Sequence, residues 1–195
     1  MYEIYALLTL KKIPVSFVIL NYLKIPKNKI LNEGEAKIMI LISACLCGIN
    51  CKYNGKNNLH PFFMELVKQG KALPVCPEQL GGLPTPRDPA EISGGDGLNV
   101  LQGKGQVISK VDQDLTDNFI RGAYETMQIA KNTGASCAIL RSRSPSCGVD
   151  EIYDGNFSGK VISGDGVTTA LLKQYGIKVL SDKLFLEEAL ENQSY

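Results

Sequence analysis

Short apolar runs that alternate with amphipathic segments constrain most strongly how this chain can fold. Residues 38–44 read IMILISA and lack the alternation of polar and apolar residues of a strand with one solvated face. A continuous apolar run of this length is typical of a strand buried on both faces, as in a parallel sheet. Strands are predicted at 38–44, 72–76, 107–111, 136–141 and 177–180.

Amphipathic helices separate these strands. Residues 115–132 place apolar side chains such as Phe119 and Met127 on one helical face. Asp182 is suited to cap the N-terminus of the last predicted helix. The predicted helices are 60–69, 115–132, 166–175 and 183–191. This alternation predicts an α/β fold: a single domain with a mainly parallel β-sheet, flanking helices and long functional loops.

The first 37 residues differ from the rest in lacking strand, turn and helix signals. We predict that residues 1–37 are a loosely packed extension or follow from a misassigned start, and that residues 38–192 form the domain. The apolar run 13–23 is too short to span a bilayer, which needs about 20 residues. No small-residue cleavage site follows it, so a signal peptide is disfavoured. We therefore expect a cytoplasmic protein with reduced cysteines and no membrane association.

Charge and histidine content exclude several function classes. Lys and Arg number 21 against 20 Asp and Glu, which gives a formal net charge of +1. A chain whose positive and negative charges are so nearly equal lacks the positive electrostatic potential that general nucleic-acid binding requires. The chain also has a single histidine, His60. It therefore cannot form a metal site from several histidines, and only His60 could serve in a Ser-His-Asp triad.

The six cysteines are the remaining source of chemistry. Cys45 directly follows one predicted strand, Cys76 ends a second, and Cys147 lies in the loop after a third. The carboxyl ends of parallel strands share one edge of a sheet, where ligands bind. We therefore expect these three thiols to converge on one rim. Cys137, inside an apolar strand, is interpreted as a core residue and Cys47 as incidental, while Cys51 stays open.

The spacing of the cysteines argues against a structural zinc site. Such sites usually draw their ligands from Cys-x-x-Cys pairs, and the sequence contains none. Three cysteines from three distant loops suit a [4Fe-4S] cluster in which one iron has no protein ligand. An iron with an open position can act as a Lewis acid.

Four stretches together resemble the 2-thiouracil desulfidase family. They are ISACLCGINCKYNG (42–55), PVCPEQLGGLPTPRDPAEI (74–92), RSRSPSCG (141–148) and IYDGNFSGKVISGDGVTTALL (152–172). The likeness runs from about Ile38 to Leu190. It implies that Cys45, Cys76 and Cys147 hold a [4Fe-4S] cluster. Where this chain has Cys51, many members have Val, and the usual CLLG is CLCG here because of Cys47.

The resemblance implies that the chain removes sulfur from a thiolated pyrimidine, converting 2-thiouracil to uracil and sulfide without a redox step. A soft thiocarbonyl sulfur binds iron readily, which activates the ring carbon for attack by water. Glu78, two residues after Cys76, is the predicted general base, although it could instead cap a helix or pair with Arg87. Ser144 and Ser146 are predicted to bind the substrate ring or the leaving sulfur, or else only to form a turn.

Two other functions remain open at this point. One is a non-catalytic zinc or iron–sulfur module, which would unfold when its metal is removed. The other is an accessory domain in tRNA sulfur modification, which would need a basic patch that a net charge of +1 disfavours. Neither the natural substrate nor the oligomeric state follows from the sequence.

Overall fold

A parallel sheet organises the computed structural model, which describes residues 39–191. The strands are β1 (Ile40–Ser43), β2 (Ala72–Val75), β3 (Ala90–Ser93), β4 (Gln106–Ser109), β5 (Cys137–Leu140), β6 (Glu151–Tyr153), β7 (Val161–Ser163) and β8 (Lys178–Ser181). The helices are α1 (Pro61–Lys68), α2 (Pro77–Leu80), α3 (Gly97–Leu101), α4 (Thr116–Thr133), α5 (Val167–Gln174) and α6 (Asp182–Glu191), and a 3-10 helix spans Ala44–Cys47. The predicted extension, residues 1–37, lies outside the described residues.

The central sheet has the strand order β2-β1-β5-β8, and every neighbouring pair runs parallel. Ile40 of β1 aligns with Ala72 of β2 on one side and with Cys137 of β5 on the other. The predicted α/β fold with a parallel sheet is confirmed. Strands β1, β2, β4 and β5 are shorter than the predicted runs, whereas β8 has the predicted length and begins one residue later.

Alternate residues of the strands supply two separate hydrophobic cores. Successive side chains of a strand point to opposite faces of the sheet. Leu41 therefore packs with Phe119 and Met127 of α4, while its neighbours Ile40 and Ile42 pack in the second core. Burying one such side chain fully contributes about 1.5–3 kcal/mol.

Aromatic residues fill the second core. Phe62 and Phe63 from α1 meet Phe185 from α6, with ring centroids 5.7 and 6.2 Å from that of Phe185. Helices therefore cover both faces of the sheet, which explains why its strands are apolar throughout. Within residues 39–191 the helices include none with the length and apolar character of a membrane span.

The Pro- and Gly-rich segment 77–106, which lies between two predicted strands and contains no predicted strand or helix, has three short elements. Helices α2 and α3 and strand β3 lie within it, and β3 pairs antiparallel with β4. A second hairpin, β6 with β7, follows β5. These elements have three to five residues each, which is too short for hydrophobic periodicity to reveal them.

Two glycines let α2 approach α4 closely. A Cβ atom on Gly81 would lie 2.1 Å from the carbonyl oxygen of Asn118, and one on Gly122 would lie 2.0 Å from that of Pro77. Both distances are below van der Waals contact with backbone atoms that cannot move easily. The close packing fixes α2, and with it Glu78, against the long helix.

Candidate functional site

A cavity of about 520 Å³ opens at the carboxyl ends of β1, β2 and β5. The thiols of Cys45, Cys76 and Cys147 line it, together with Cys51. The predicted convergence of the first three on one rim is confirmed. It follows from the parallel strand order, since Cys45 and Cys76 follow β1 and β2 closely and Cys147 lies in the loop after β5, and all three strands end at this edge.

Cys45 lies in the 3-10 helix directly after β1. Its carbonyl oxygen accepts hydrogen bonds from the amides of Gly48 and Asn58, at 3.3 and 2.8 Å. The side-chain amide of Asn58 also approaches the Cys45 sulfur at 3.8 Å. The loop that follows β1 therefore folds back over Cys45 and fixes both its backbone and its thiol.

Cys147 is held by the turn that precedes it. The hydroxyl oxygen of Ser144 accepts hydrogen bonds from the amides of Ser146 and Cys147, each at 3.1 Å. Thr169 in α5 donates to the carbonyl oxygen of Cys147 at 3.1 Å. Ser144 thus shapes the turn that presents Cys147 to the cavity, which is one of the two roles predicted for it.

Cys51 lines the cavity together with Cys45 and Cys76. It is 2% exposed, and its carbonyl oxygen lies 3.8 Å from the Cys76 sulfur. Its carbonyl oxygen accepts from Nη2 of Arg87 at 3.0 Å. The sequence alone does not predict the place of Cys51, because a cysteine in a loop gives no signal of what it faces.

The thiols of the cavity differ in acidity. The hydrogen bond from Cys51, with a smaller contribution from the backbone of Gln79, lowers the pKa of Cys76 to about 7 despite burial. The hydrogen bond from Cys51 also lowers the pKa of Cys45. Burial raises the pKa of Cys147 well above its ordinary value. Near neutral pH, a substantial fraction of Cys76 is therefore in the thiolate form. Cys147 forms a thiolate there only when a cation lies beside it.

Glu78 lies on α2 at the wall of the cavity and pairs with Arg87. Nε of Arg87 donates to Oε2 of Glu78 at 2.7 Å, and the Arg87 side chain is only 6% exposed. The other carboxylate oxygen, Oε1, lies 3.5 Å from the hydroxyl of Ser144. The alternative that Glu78 pairs with Arg87 is therefore correct. A carboxylate has lone pairs on both oxygens, so Oε1 can still accept a proton while Oε2 is bound to Arg87.

Ser146 does not reach the cavity, in contrast to Ser144. It is 1% exposed, and its hydroxyl bonds to that of Thr168 at 2.8 Å. The reason is the turn around Pro145, which directs the two serines of the motif to different sides.

Ser43 is a cavity residue that was not predicted from the sequence. It ends β1 and accepts a hydrogen bond from the amide of Arg141 at 2.9 Å. A polar residue inside an otherwise apolar strand was the signal that could have identified it.

Asp182 was predicted to cap the last helix, and this prediction is wrong. Its carboxylate accepts from the amide of Ser142 at 2.9 Å and pairs with Arg141 at the cavity wall. Ser181 accepts from the amide of Leu184 instead. The ion pair with Asp182 holds the guanidinium of Arg141 at the cavity wall.

Among residues 39–191, no three His, Cys, Asp or Glu side chains stand close enough together to hold a single metal ion. The four cavity thiols are therefore not arranged around one zinc ion. A cluster of four irons and four sulfides is larger, and its thiolate ligands stand further apart.

Comparison with known proteins identifies the family. The profile of the family described as 2-thiouracil desulfurase matches residues 40–183. The chain belongs to the 2-thiouracil desulfurase family. The matched range contains all six cysteines and all four stretches on which the resemblance was based. The predicted family membership is confirmed.

Two relatives of this desulfurase family member cover most of its length. The uncharacterized protein YbbK of Bacillus subtilis (strain 168) is 49% identical over 144 residues, which are 74% of this chain and 95% of YbbK. The solved structure of the [4Fe-4S]-dependent thiouracil desulfidase TudS superposes with a TM-score of 0.69 at 38% identity. That match covers 81% of this chain and 99% of the TudS chain.

Proposed function

We propose that this desulfurase family member is a hydrolytic desulfidase that converts 2-thiouracil, or a similar thiolated pyrimidine, to the oxygen-containing base and sulfide. The observation that carries the proposal is the convergence of Cys45, Cys76 and Cys147 on one cavity that Glu78 and Ser144 also line. TudS, which shares the fold, is a [4Fe-4S]-dependent thiouracil desulfidase.

The donor set fits a [4Fe-4S] cluster held by Cys45, Cys76 and Cys147. All three donors are soft thiolates, the ligand type that iron–sulfur clusters require. Cys147 is buried with a raised pKa, so its thiolate form needs the positive charge of a metal beside it. When bound, the cluster supplies an iron without a protein ligand, which acts as a Lewis acid toward a thiocarbonyl sulfur.

Glu78 is the proposed general base. Its Oε1 faces the cavity and Ser144, whereas Oε2 is occupied by Arg87. In this proposal, Oε1 accepts the proton of the attacking water. Arg87 fixes the orientation of the carboxylate, so that the base is in place before the substrate binds.

Ser144 and Ser146 have different parts in this proposal. Ser144 lines the cavity, where its hydroxyl can bind the substrate ring or the departing sulfur in addition to shaping the turn before Cys147. Ser146, predicted as a second catalytic residue, bonds to Thr168. We assign Ser146 a structural part in the turn and no contact with the substrate.

Tyr53 supports a flat ring as the substrate. It lies at the cavity and is 45% exposed, so its ring is free to stack on a planar ligand. The volume of the cavity, about 520 Å³, accommodates a pyrimidine with space for water. Cytoplasmic location and the absence of a nucleic-acid partner remain predictions.

Anaerobic purification with iron and labile sulfide counted per chain tests the proposal. The wild type is expected to be brown with about four irons per chain. Substituting Cys45, Cys76 or Cys147 with Ala abolishes the cluster, whereas the matched variant Cys137→Ala, in β5 away from the cavity, keeps it. A colourless protein that carries zinc would overturn the proposal in favour of a structural metal module, which would also lose its fold when the metal is removed.

A further inference from the structure

Glu91 lines the cavity, and the proposed function gives it no part. It lies on β3 next to Ile92, whose side chain is buried in the same hydrophobic core as Leu41. Because successive side chains of a strand point to opposite faces, Glu91 points away from that core. It is nevertheless only 8% exposed. Among the described residues that line the cavity, Glu78 and Glu91 are the only ones with a carboxylate.

The two carboxylate oxygens of Glu91 differ in their partners. Oε2 accepts a hydrogen bond from the backbone amide of Phe157 at 3.0 Å. Within residues 39–191, Oε1 has no hydrogen-bond or ion-pair partner. Each oxygen of a carboxylate can accept hydrogen bonds, and a buried polar atom without a partner costs free energy. Oε1 is therefore a buried acceptor in the cavity wall, and a ligand with a suitable donor can satisfy it.

The loop between β6 and β7 holds the Glu91 carboxylate in place. Phe157 lies in this loop, with a φ of 53° that is uncommon for a residue other than glycine, and its side chain also lines the cavity. The same loop lies directly on β3 at Gly155, where a Cβ atom would be 2.3 Å from the carbonyl oxygen of Ile92. Two neighbouring contacts thus fix the loop against β3, and the carboxylate has little freedom to rotate.

The other charges of the cavity indicate which kind of donor suits Oε1. Six cationic side chains line the cavity as well, namely Lys52, Arg87, Lys110, Arg141, Arg143 and Lys183. This excess of positive charge disfavours a cationic ligand, so the donor is a neutral group. The ring of 2-thiouracil carries an N–H group on each side of its thiocarbonyl carbon. A hydrogen bond from such a group to a carboxylate is charge-assisted and roughly twice as strong as one between neutral groups.

We propose that Glu91 is a substrate-binding residue, whose Oε1 accepts a hydrogen bond from a ring N–H group of the thiolated pyrimidine. The proposal rests on the proposed function, because it takes a thiolated pyrimidine as the ligand. It makes the cavity specific for rings with a free N–H group at the position that faces Glu91. A ring alkylated at that nitrogen has no donor and leaves Oε1 without a partner. Proton transfer from water stays with Glu78.

Binding of uracil to the full chain with its cluster tests the proposal without turnover. Uracil is the product of the proposed reaction, carries both ring N–H groups and has no sulfur to lose. Isothermal titration calorimetry measures the dissociation constants of uracil, 1-methyluracil and 3-methyluracil. The proteins are the wild type, Glu91→Gln and the matched control Glu125→Gln, which changes an exposed carboxylate of α4. Glutamine keeps an oxygen for the Phe157 amide and places an NH2 donor where Oε1 was.

Uracil should bind to Glu91→Gln roughly ten- to hundredfold more weakly than to the wild type, the range expected for a hydrogen bond to a charged group. One of the two methylated rings should already bind weakly to the wild type and lose no further affinity in Glu91→Gln. Glu125→Gln should match the wild type with all three rings. In steady-state kinetics, Glu91→Gln should raise the KM for 2-thiouracil more than it lowers kcat, because the contact is made in the bound ground state.

Three results would overturn the proposal while the wild type still converts 2-thiouracil. The first is wild-type affinity of a folded Glu91→Gln protein for uracil, which would leave Glu91 only its contact with Phe157. The second is an equal loss of affinity for all three rings in Glu91→Gln, which would indicate a general disturbance of the cavity. The third is equal affinity of the wild type for all three rings, a result that needs no variant.

Failure of the proposed function would be visible separately. A wild type that does not convert 2-thiouracil, but binds uracil in a way that depends on Glu91, would contradict the proposed reaction and support the binding site. A wild type that neither converts 2-thiouracil nor binds uracil would contradict both.

Discussion

Arg87 holds Glu78 from an almost fully buried position, with Nε donating to Oε2 at 2.7 Å. The same guanidinium donates to the carbonyl oxygens of Cys51 and Pro84, at 3.0 Å each. One side chain therefore connects the proposed base, the loop after β1 and the segment after α2. Arginine suits this position because its planar fork offers several fixed donors, which lysine lacks.

Removing Arg87 should destabilise the protein strongly. Arg87→Ala leaves the largely buried Glu78 carboxylate without its partner, and breaking such a pair costs about 3–5 kcal/mol. The measurement is the free energy of unfolding in urea. The matched control is Arg143→Ala, which breaks an exposed pair with Glu151 and should cost less than about 1 kcal/mol. Equal losses in the two variants would contradict the importance assigned to Arg87.

Glu78→Gln should keep the cluster and lose most of the turnover. The amide is nearly the same size but cannot take a proton from water, and a general base contributes roughly 10²–10⁴-fold to the rate. Turnover of 2-thiouracil is measured at matched iron content, with Glu151→Gln, at an exposed carboxylate, as the control. Full activity of Glu78→Gln would mean that the base lies elsewhere.

Ser144 and Ser146 should respond differently to the same substitution. Ser144→Ala removes a hydroxyl that lines the cavity and accepts hydrogen bonds from two backbone amides of the turn. Turnover should therefore fall. Ser146→Ala leaves the buried Thr168 hydroxyl without its partner, which costs about 1–3 kcal/mol of stability, while turnover at full folding stays at the wild-type level. Steady-state kinetics paired with urea unfolding separate the two effects. Lower turnover in a fully folded Ser146→Ala enzyme would place that serine in the reaction.

The sequence predicts the sheet and the convergence of its cysteines for the same reason. Parallel strands end at one edge, so the positions of Cys45, Cys76 and Cys147 after three apolar runs are enough to bring them together. The contact between Arg87 and Glu78, by contrast, was only one alternative, because side-chain geometry within a proline-rich segment follows no periodicity.

The remaining differences arise from the geometry of one turn and from a contact between residues distant in sequence. Ser144 and Ser146 are two residues apart in one motif, yet only the path of the chain around Pro145 decides which of them faces the cavity. Asp182 matches a helix cap by residue type, but its carboxylate binds Arg141 and Ser142, which lie about 40 residues earlier in the chain. No local pattern encodes such a contact.

Cys76 should be the thiol that titrates near neutrality in the metal-free protein. Its pKa is lowered to about 7, whereas burial raises the pKa of Cys137 to about 11. Because the thiolate is the reactive form, alkylation of Cys76 should rise as the pH increases through about 7, and Cys137 should stay unmodified there. Iodoacetamide labelling at pH 5 to 9 with peptide mass mapping measures this. A Cys76 that reacts only above pH 9 would contradict the lowered pKa.

The central claim is hydrolysis: water supplies the oxygen that replaces sulfur, and no electrons enter or leave. The most direct test is turnover of 2-thiouracil in ¹⁸O-labelled water without any reductant, with the product analysed by mass spectrometry. The account predicts uracil labelled at the carbon that carried sulfur, with one sulfide released per uracil. Unlabelled uracil, or turnover that requires a reductant in every cycle, would contradict it.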